Sequence, residues 1–407
     1  MTIENQNVDR KSLRLVTGKT VDWDELARDC VCFANGQGVA KDEVEAVKWW
    51  RKAADQNYAR SQFELGYCFA VGRGVEKNQA EALTWYRKAA EQNDAEAQNQ
   101  LAGCYATGQG LATNFVEAVI WWRKAAGQNH AVAQLNLGVC QTTGQGVEKD
   151  YAEAANWFRK AAEQNNAPAQ FQMGQCYAAG RGVAKDETEA VKWMRKAAEQ
   201  DVASAQYALA YFYSAGQGVA KDDTEAARWG RKAAEQNDAQ AQYLLGVCYA
   251  NGQGIAKSDV EAVKWYRKAA EQNHAGAQSA LGWCLANGLG VATNLVEGVM
   301  WCRRAAEQDL PDGLNNLAWI LATSSSPTIR DGSNAVVYAE KSVAATNRKI
   351  SWNLGTLAAA YAETGQFEKA VSTQQEAIEL LQSEADRNDF RSRLKLYEAK
   401  VPYRSKD

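Results

Sequence analysis

A strict 36-residue period runs through most of this 407-residue chain. Tryptophan recurs at that spacing eight times, and an arginine stands two positions after each one. The tryptophans are Trp49, Trp85, Trp121, Trp157, Trp193, Trp229, Trp265 and Trp301. A fixed period of this length is the signature of repeat architectures, in which each unit buries its apolar face against the next. The period therefore predicts one stacked array over this region.

Each period contains two amphipathic helices. In the third unit, Ala97, Leu101 and Tyr105 fall on one helical stripe, and Ala118 and Trp122 fall on another. The chain has only four prolines, which suits a helical protein. Each unit is therefore predicted to be a helical hairpin, and the fold class to be all-α.

Helix start and stop signals recur with the same period. Asp, Asn or Ser precedes every second helix, and Glu follows three residues later, as in a capping box. The caps are Asp42, Asn78, Asn114, Asp150, Asp186, Asp222, Ser258 and Asn294. A Gly-x-Gly pair such as Gly108 and Gly110 ends each first helix. Because these glycines end a helix in every unit, they do not indicate a phosphate-binding loop.

The residues that carry the period define the predicted boundaries. The eight units are 22–57, 58–93, 94–129, 130–165, 166–201, 202–237, 238–273 and 274–309. Residues 1–21 are expected to be poorly ordered. The first unit has Asp29 where later units have leucine or methionine, which suits an exposed end repeat.

The repeated segments "AQYLLGVCYANGQGI" and "AVKWYRKAAEQ" resemble the Sel1-like repeat family. This resemblance implies an α-solenoid, a right-handed superhelix of antiparallel helical hairpins, and a role as an adaptor or scaffold. Downstream, Leu354, Leu357, Ala358, Tyr361 and Gly365 resemble the tetratricopeptide spacing. We therefore expect two tetratricopeptide-like hairpins over 310–384 and a capping helix and tail over 385–407.

The eight repeating tryptophans are predicted to lie in the core between hairpins. Seven of nine cysteines also recur in register, at 32, 68, 104, 140, 176, 248 and 284. Equivalent positions in stacked hairpins lie too far apart for disulfides, so we interpret them as buried thiols. Some secreted members of the family pair two cysteines per repeat, and two questions stay open here: Cys284 with Cys302, and Cys30 beside Cys32.

Catalytic and metal-binding patterns find little support. His130 and His274 occupy the same slot in two distant units and cannot share a metal, and no Cys–His spacing suits zinc. The "TGKT" at Thr17–Thr20 lacks the leading glycine of a phosphate loop, because Leu13 stands there. One S-x-x-K, from Ser392 to Lys395, lacks its partner motifs. We therefore expect neither enzymatic activity nor a cofactor.

Charge and hydropathy exclude other classes of function. The chain has 46 basic and 49 acidic residues, so nothing favours nucleic acid or an anionic membrane. Neither a secretory signal nor a membrane-spanning run is visible, and we expect a cytoplasmic protein.

The repeats vary most at two positions of the first helix, the sixth and tenth of each unit. These positions are four residues apart and share a helical face. The predicted partner-binding residues are Phe63, Tyr67, Asn99, Leu135, Val139, Phe171, Gln175, Tyr207, Tyr211, Tyr243, Val247 and Trp283. First helices would line the concave side of such a solenoid. The alternative is that the sixth-position aromatic residues pack against the neighbouring hairpin.

Two functional hypotheses remain from the sequence. The first is a non-enzymatic scaffold that binds a peptide segment of a protein partner in a concave groove rich in aromatic residues. The alternative is a structural or self-associating array, or a weak hydrolase resembling cysteine-rich members of the family. The sequence does not identify the partner.

Overall fold

The computed structural model describes residues 42–405, and over this range the chain forms twenty α-helices and no β-strand. The helices are α1 Glu43–Asp55, α2 Ala59–Val71, α3 Gln79–Glu91, α4 Ala95–Thr107, α5 Phe115–Gly127, α6 Ala131–Thr143, α7 Tyr151–Glu163, α8 Ala167–Ala179, α9 Glu187–Glu199, α10 Ala203–Ala215, α11 Asp223–Glu235, α12 Ala239–Asn251, α13 Asp259–Glu271, α14 Ala275–Asn287, α15 Leu295–Ala306, α16 Pro311–Thr323, α17 Gly332–Ala345, α18 Ser351–Glu363, α19 Phe367–Leu380 and α20 Glu384–Glu398. The described residues do not include the N-terminal segment, the "TGKT", Asp29, Cys30 or Cys32.

Successive helices pack as hairpins of an even-numbered first helix and an odd-numbered second helix, in the pairs α2–α3, α4–α5, α6–α7, α10–α11, α12–α13, α14–α15, α16–α17 and α18–α19. This arrangement confirms the predicted all-α, α-solenoid fold class. The chain divides into two compact units between Trp193 and Met194, within α9. The first unit contains the hairpins from α2 to α7, and the second contains those from α10 to α19, followed by α20.

The predicted N-caps are confirmed at all eight second helices. Each Asp, Asn or Ser side chain accepts a hydrogen bond from the backbone N–H three residues later, as Asp150 does from Glu153 at 2.9 Å. The cap satisfies a donor that the first turn would leave unpaired, and is worth about 1 kcal/mol. The cap glutamates also bind elsewhere, since Glu45 accepts from the Trp49 indole N–H at 3.0 Å. The caps thus fix where each second helix begins.

The second glycine of a Gly-x-Gly pair brings the loop of one hairpin into close backbone contact with the hairpin before it. Gly182, in the loop after α8, has φ +72°, and a Cβ there would lie 1.8 Å from the Tyr151 carbonyl oxygen at the start of α7. Only glycine fits, because the position needs a left-handed conformation and also touches backbone. The loop after α8 therefore packs directly against the start of α7, the second helix of the preceding hairpin.

The predicted core position of the repeating tryptophans is only partly right. Trp85, Trp229 and Trp301 are buried, whereas Trp49, Trp121, Trp157, Trp193 and Trp265 are only partly buried. In most second helices the residue after the tryptophan is more buried than the tryptophan itself, as with Phe158 at 0 % exposure. Lys160 covers the outer face of Trp157, with its amino nitrogen 4.3 Å from the ring centroid. The tryptophan thus lies at the edge of the buried stripe.

First and second helices approach closely where a glycine faces a large ring. A Cβ on Gly138 would lie 2.6 Å from the Phe158 ring, so α6 and α7 can close only because that side chain is absent. In α10 and α11 the sizes are exchanged: Ala210 replaces the glycine and Gly230 replaces the ring. Close packing requires that a larger residue on one helix be matched by a smaller one on its partner.

Buried glutamines connect each hairpin to the next. The Gln98 amide in α4 donates to the Ala90 carbonyl and to Asn93 Oδ1, both at 3.1 Å, and its oxygen accepts from Gln128 Nε2 at 2.8 Å. The same pattern recurs at Gln62, Gln134, Gln206, Gln242 and Gln278. A buried amide is costly unless it is paired. The ladder therefore favours one register of stacking over others.

The last two hairpins, α16–α19, share a large apolar cluster with α20. Leu317 is fully buried and lies 36 residues after Leu281, so α16 keeps the repeat register although its sequence is looser. Phe390 of α20 is also fully buried and packs against Gly355 of α18. The helix α20 thus covers apolar surface of the last hairpin.

Candidate partner-binding surface

The sixth positions of the first helices are largely packed. Phe63, Asn99 and Ser279 are buried, and Leu135, Phe171, Tyr207 and Tyr243 are partly buried. Tyr243 stacks on the His274 ring with centroids 4.7 Å apart, and burial raises its pKa. His274 begins the next first helix, α14. The sixth position therefore contributes to packing between hairpins at several sites, as the alternative interpretation proposes.

The tenth positions are more open. Tyr67 is 40 % exposed, Tyr211 is 50 % exposed and Gln175 is exposed, while Val139, Val247 and Trp283 are partly buried. At Gly103 an added Cβ would meet no atom within 4 Å, so space is open above α4. Among the described residues, the first helices of each compact unit therefore present one exposed tyrosine, Tyr67 in the first and Tyr211 in the second.

The first helices from α6 to α14 present an uncharged face. The helices α6, α8, α10, α12 and α14 contain no Asp, Glu, Lys or Arg, whereas each second helix from α1 to α15 contains several. A surface without charges offers no attraction for phosphate groups or polyanions. Aromatic contacts and hydrogen bonds are the interactions that it can provide.

The two described histidines serve as N-caps. The Nδ1 atoms of His130 and His274 accept from the backbone N–H groups of Ala133 and Ala277, at 3.1 and 3.0 Å. Burial lowers the pKa of His274, whose ring also lies 3.0 Å from Gln240 Oε1. These roles are structural. Within residues 42–405, no group of three or more His, Cys, Asp and Glu side chains could hold a metal ion.

All seven cysteines in the described range are free thiols, and six of them are buried. Burial raises the pKa of Cys140 and of Cys284 to about 11. Cys302 is fully buried, with a pKa of about 12 for the same reason. A raised pKa leaves little thiolate near neutral pH, so these residues are poor nucleophiles.

The S-x-x-K motif lies on the exposed surface of α20. The Ser392 hydroxyl donates to the Asp389 carbonyl oxygen at 2.6 Å, within its own helix. A nucleophilic serine needs a neighbouring base that accepts its proton, and a backbone carbonyl is not one. The geometry of this serine is that of an ordinary helix residue.

Sequence reasoning missed one continuation of the surface. Asn315 and Trp319 in α16 lie 36 residues after Ser279 and Trp283 and so occupy the sixth and tenth positions of a ninth hairpin. Trp319 is partly buried, and its ring contacts Tyr403. The 36-residue spacing from Trp283 was the available signal.

The hairpin fold and the neutral aromatic face define an α-solenoid repeat scaffold. The Sel1 repeat family matches this chain eight times in succession, over residues 25–58, 59–94, 95–130, 131–166, 167–202, 203–238, 239–274 and 275–310. The chain therefore belongs to the Sel1 repeat family, which confirms the resemblance found in the sequence. Sel1 repeats form a protein-interaction scaffold and are typically non-enzymatic.

Two crystal structures illustrate the likeness. A protective antigen present in uropathogenic Escherichia coli strains, displaying an SLR fold, is 32% identical with a TM-score of 0.74, over 88% of this chain and 76% of that chain. A Sel1 repeat protein from Oxalobacter formigenes is 30% identical with a TM-score of 0.55, over 70% of this chain and 83% of that chain. A search of curated proteins finds no match. None of the helices within residues 42–405 is long and apolar enough to cross a membrane.

Proposed function

We propose that this protein is a non-enzymatic adaptor that binds peptide segments of protein partners on the first-helix face of its repeats. The observation that carries the proposal is the exposure of Tyr67 and Tyr211 at the same repeat position, one in each unit. Exposed aromatic side chains on a rigid helix contribute large contact area at a small cost in conformational entropy. The partly buried residues beside them form the floor of the surface.

The ligand that suits this face is an apolar or aromatic peptide. The middle first helices lack charges, so a strongly anionic ligand would gain nothing there. Around Tyr211, the partly buried Tyr207 extends the aromatic surface, and the buried Phe212 ring packs edge-on against Tyr211 with centroids 6.2 Å apart. A peptide side chain inserted between Tyr207 and Tyr211 would therefore contact two aromatic rings.

The test compares matched tyrosines. Peptides selected from a displayed random library on the wild-type chain are titrated against Tyr67→Ala, Tyr211→Ala and Tyr151→Ala. Tyr151 is a control of the same type and similar exposure, 41 %, on a second helix. Loss of an interfacial aromatic anchor weakens binding about tenfold or more, corresponding to about 1.4 kcal/mol. We expect this loss in either first-helix variant. Equal affinity of all three variants would refute the proposal.

We also propose a reducing compartment such as the cytoplasm. Cys284 and Cys302 share a hairpin and are free thiols, which supports this assignment because oxidising compartments favour disulfides. Rapid alkylation of cells followed by mass spectrometry should find Cys284 and Cys302 as thiols. Recovery of a disulfide between them would contradict the assignment.

A further inference from the structure

The segment that follows α20 turns sharply and leaves the helix in a fixed direction. Lys400 has φ +60°, its N–H donates to the Tyr397 carbonyl, and the Val401 N–H donates to the Leu396 carbonyl at 2.8 Å. This is a Schellman motif, and Pro402 directly after it prevents helix continuation. Residues 401–405 therefore continue as a non-helical segment with a defined start.

That segment lies on first helices of the last hairpins. The Tyr403 ring packs against Trp319 of α16, with centroids 5.7 Å apart. The Ser405 N–H donates to the Thr323 carbonyl at the end of α16, at 2.9 Å. Arg404 Nη1 lies 2.6 Å from Glu363 Oε2 at the end of α18. Five residues thus make one aromatic, one backbone and one ionic contact.

The charged side chains beneath the segment are held in place by ion pairs with other residues. Glu363 is largely buried, and its other oxygen lies 3.3 Å from Arg330 Nε, which holds the carboxylate in place. Arg393 of α20 is also buried, and its guanidinium lies 4.8 Å from the Trp319 ring and 5.0 Å from the Tyr403 ring. Arg393 is paired in turn with Asp389. A guanidinium over aromatic faces contributes about 0.5–2 kcal/mol.

Trp319 occupies the tenth position of its hairpin, the same repeat position as Tyr67 and Tyr211. At this position residues 401–405 act as a ligand of a first helix. Tyr403 places an aromatic ring on Trp319, and the following Arg404 reaches the carboxylate of Glu363. The carboxylate of Glu363 gives charge complementarity for that arginine, which the uncharged middle helices lack.

We propose that the surface formed by Trp319, Thr323, Glu363 and Arg393 is a binding site for a non-helical peptide with an aromatic residue followed by arginine, and that residues 401–405 occupy it in cis. The proposal rests on the proposed function for the class of ligand, although it concerns a separate surface. A tethered ligand acts at an effective concentration of about 1 mM. A partner peptide must therefore displace the segment, which makes the segment an intramolecular inhibitor.

The test is a peptide titration on the full chain. A fluorescent peptide with the sequence of residues 400–405 is titrated against wild type and against the double variant Tyr403→Ala, Arg404→Ala. Because the variant removes the competing side chains, we expect it to bind the peptide at least tenfold more tightly than wild type does. A further Glu363→Gln change should reverse that gain, and a peptide with alanine in place of its tyrosine and arginine should not bind.

A second variant keeps the test valid if the double variant does not fold. Ser405→Pro removes the N–H and the hydroxyl that contact Thr323 but leaves the Tyr403 and Arg404 side chains in place, and should give a smaller gain in peptide binding. Circular dichroism checks the helicity of each variant. If the variants lose stability without gaining affinity, the segment is only a structural staple and the proposal is overturned. Equal binding of the alanine peptide would also overturn it.

The Tyr211→Ala variant separates this proposal from the proposed function. It should leave binding of the 400–405 peptide unchanged while weakening the library-selected peptides. Unchanged affinity for the library-selected peptides would refute the proposed function, whereas weaker binding of the 400–405 peptide would show that the two surfaces are not separate.

Discussion

Neighbouring residues on the second helices differ in burial, and they therefore contribute different amounts to the free energy of unfolding. Phe158 has no exposed surface and fills the space above Gly138, whereas Trp157 is partly exposed beneath Lys160. Truncating a fully buried aromatic residue costs about 3–5 kcal/mol, because a cavity adds to the lost transfer free energy. A ring that keeps one solvent-facing side loses less.

We therefore expect Phe158→Ala to destabilise the repeat by about 3–5 kcal/mol and Trp157→Ala by less than about 2 kcal/mol. Native-state hydrogen exchange of α6 and α7 amides measures the free energy of local opening directly. A larger effect for Trp157→Ala than for Phe158→Ala would contradict the assigned burial.

Cys302 makes stability depend on alkaline pH. Burial raises its pKa from about 9 to about 12 in the folded state, so above pH 9 the unfolded chain loses a proton that the folded chain retains. The contribution of this thiol to the free energy of unfolding is fully present below pH 9. As the pH rises from 9 towards 12, that free energy falls by up to about 1.4 kcal/mol per pH unit.

The Cys302→Ala variant provides the measurement. Between pH 8 and pH 10.5, the free energy of opening of α15 should fall more steeply in wild type than in Cys302→Ala. Parallel pH profiles for the two proteins would show that this thiol does not contribute.

At the level of helices and loops, the repeat is defined at its ends. N-cap side chains fix the start of each second helix, and Asn93, with φ +69°, ends α3 while its side chain accepts from Gln98. Asparagine tolerates this left-handed conformation better than most residues. The same residue thus ends a helix and pairs with the amide that joins two hairpins.

Gly182 and Gly127 form a matched pair for testing the loop contact. A Cβ at Gly182 would meet the Tyr151 carbonyl oxygen, while a Cβ at Gly127, at the end of α5, would meet nothing within 4 Å. We expect Gly182→Ala to cost more than about 2 kcal/mol, because strain and a steric clash add, and Gly127→Ala to stabilise by about 0.5–1 kcal/mol. Thermal unfolding of the two variants checks both signs. Similar melting temperatures would argue against close loop packing.

At the scale of the whole molecule, the chain consists of two compact units, each with its own apolar clusters. Repeat arrays depend on contacts between neighbouring repeats, so their stability is a sum of local terms and cooperativity fades over long arrays.

We expect urea unfolding of the 407-residue chain to depart from two-state behaviour. Circular dichroism follows all helices equally, whereas tryptophan fluorescence weights the hairpins unevenly. The urea midpoints measured by the two methods should therefore differ. Coincident transitions would indicate coupling throughout the chain. The variant Gly182→Ala should shift one part of the fluorescence curve more than the rest, because the substitution destabilises only the first unit.

The local features of this protein were predictable from sequence because their determinants lie within a few residues of each other. The 36-residue period, the eight N-caps, the left-handed glycines and the fully buried Leu101 and Leu137 all follow from helix geometry repeated many times. The same information predicted the fold class and the family.

What only the tertiary structure decided depends on residues that are far apart in the chain. Trp157 and Phe158 both border the apolar stripe, and only the packing of α7 against α6, where Phe158 lies over Gly138, determines which is buried. Tyr243 lies against His274 because α12 and α14 stack, and Tyr403 reaches Trp319 across 84 residues of chain. Helical periodicity defines the direction of a side chain around its own axis, but it carries no information about the distance to other helices. That distance, and therefore the accessible part of the binding face, is set by packing.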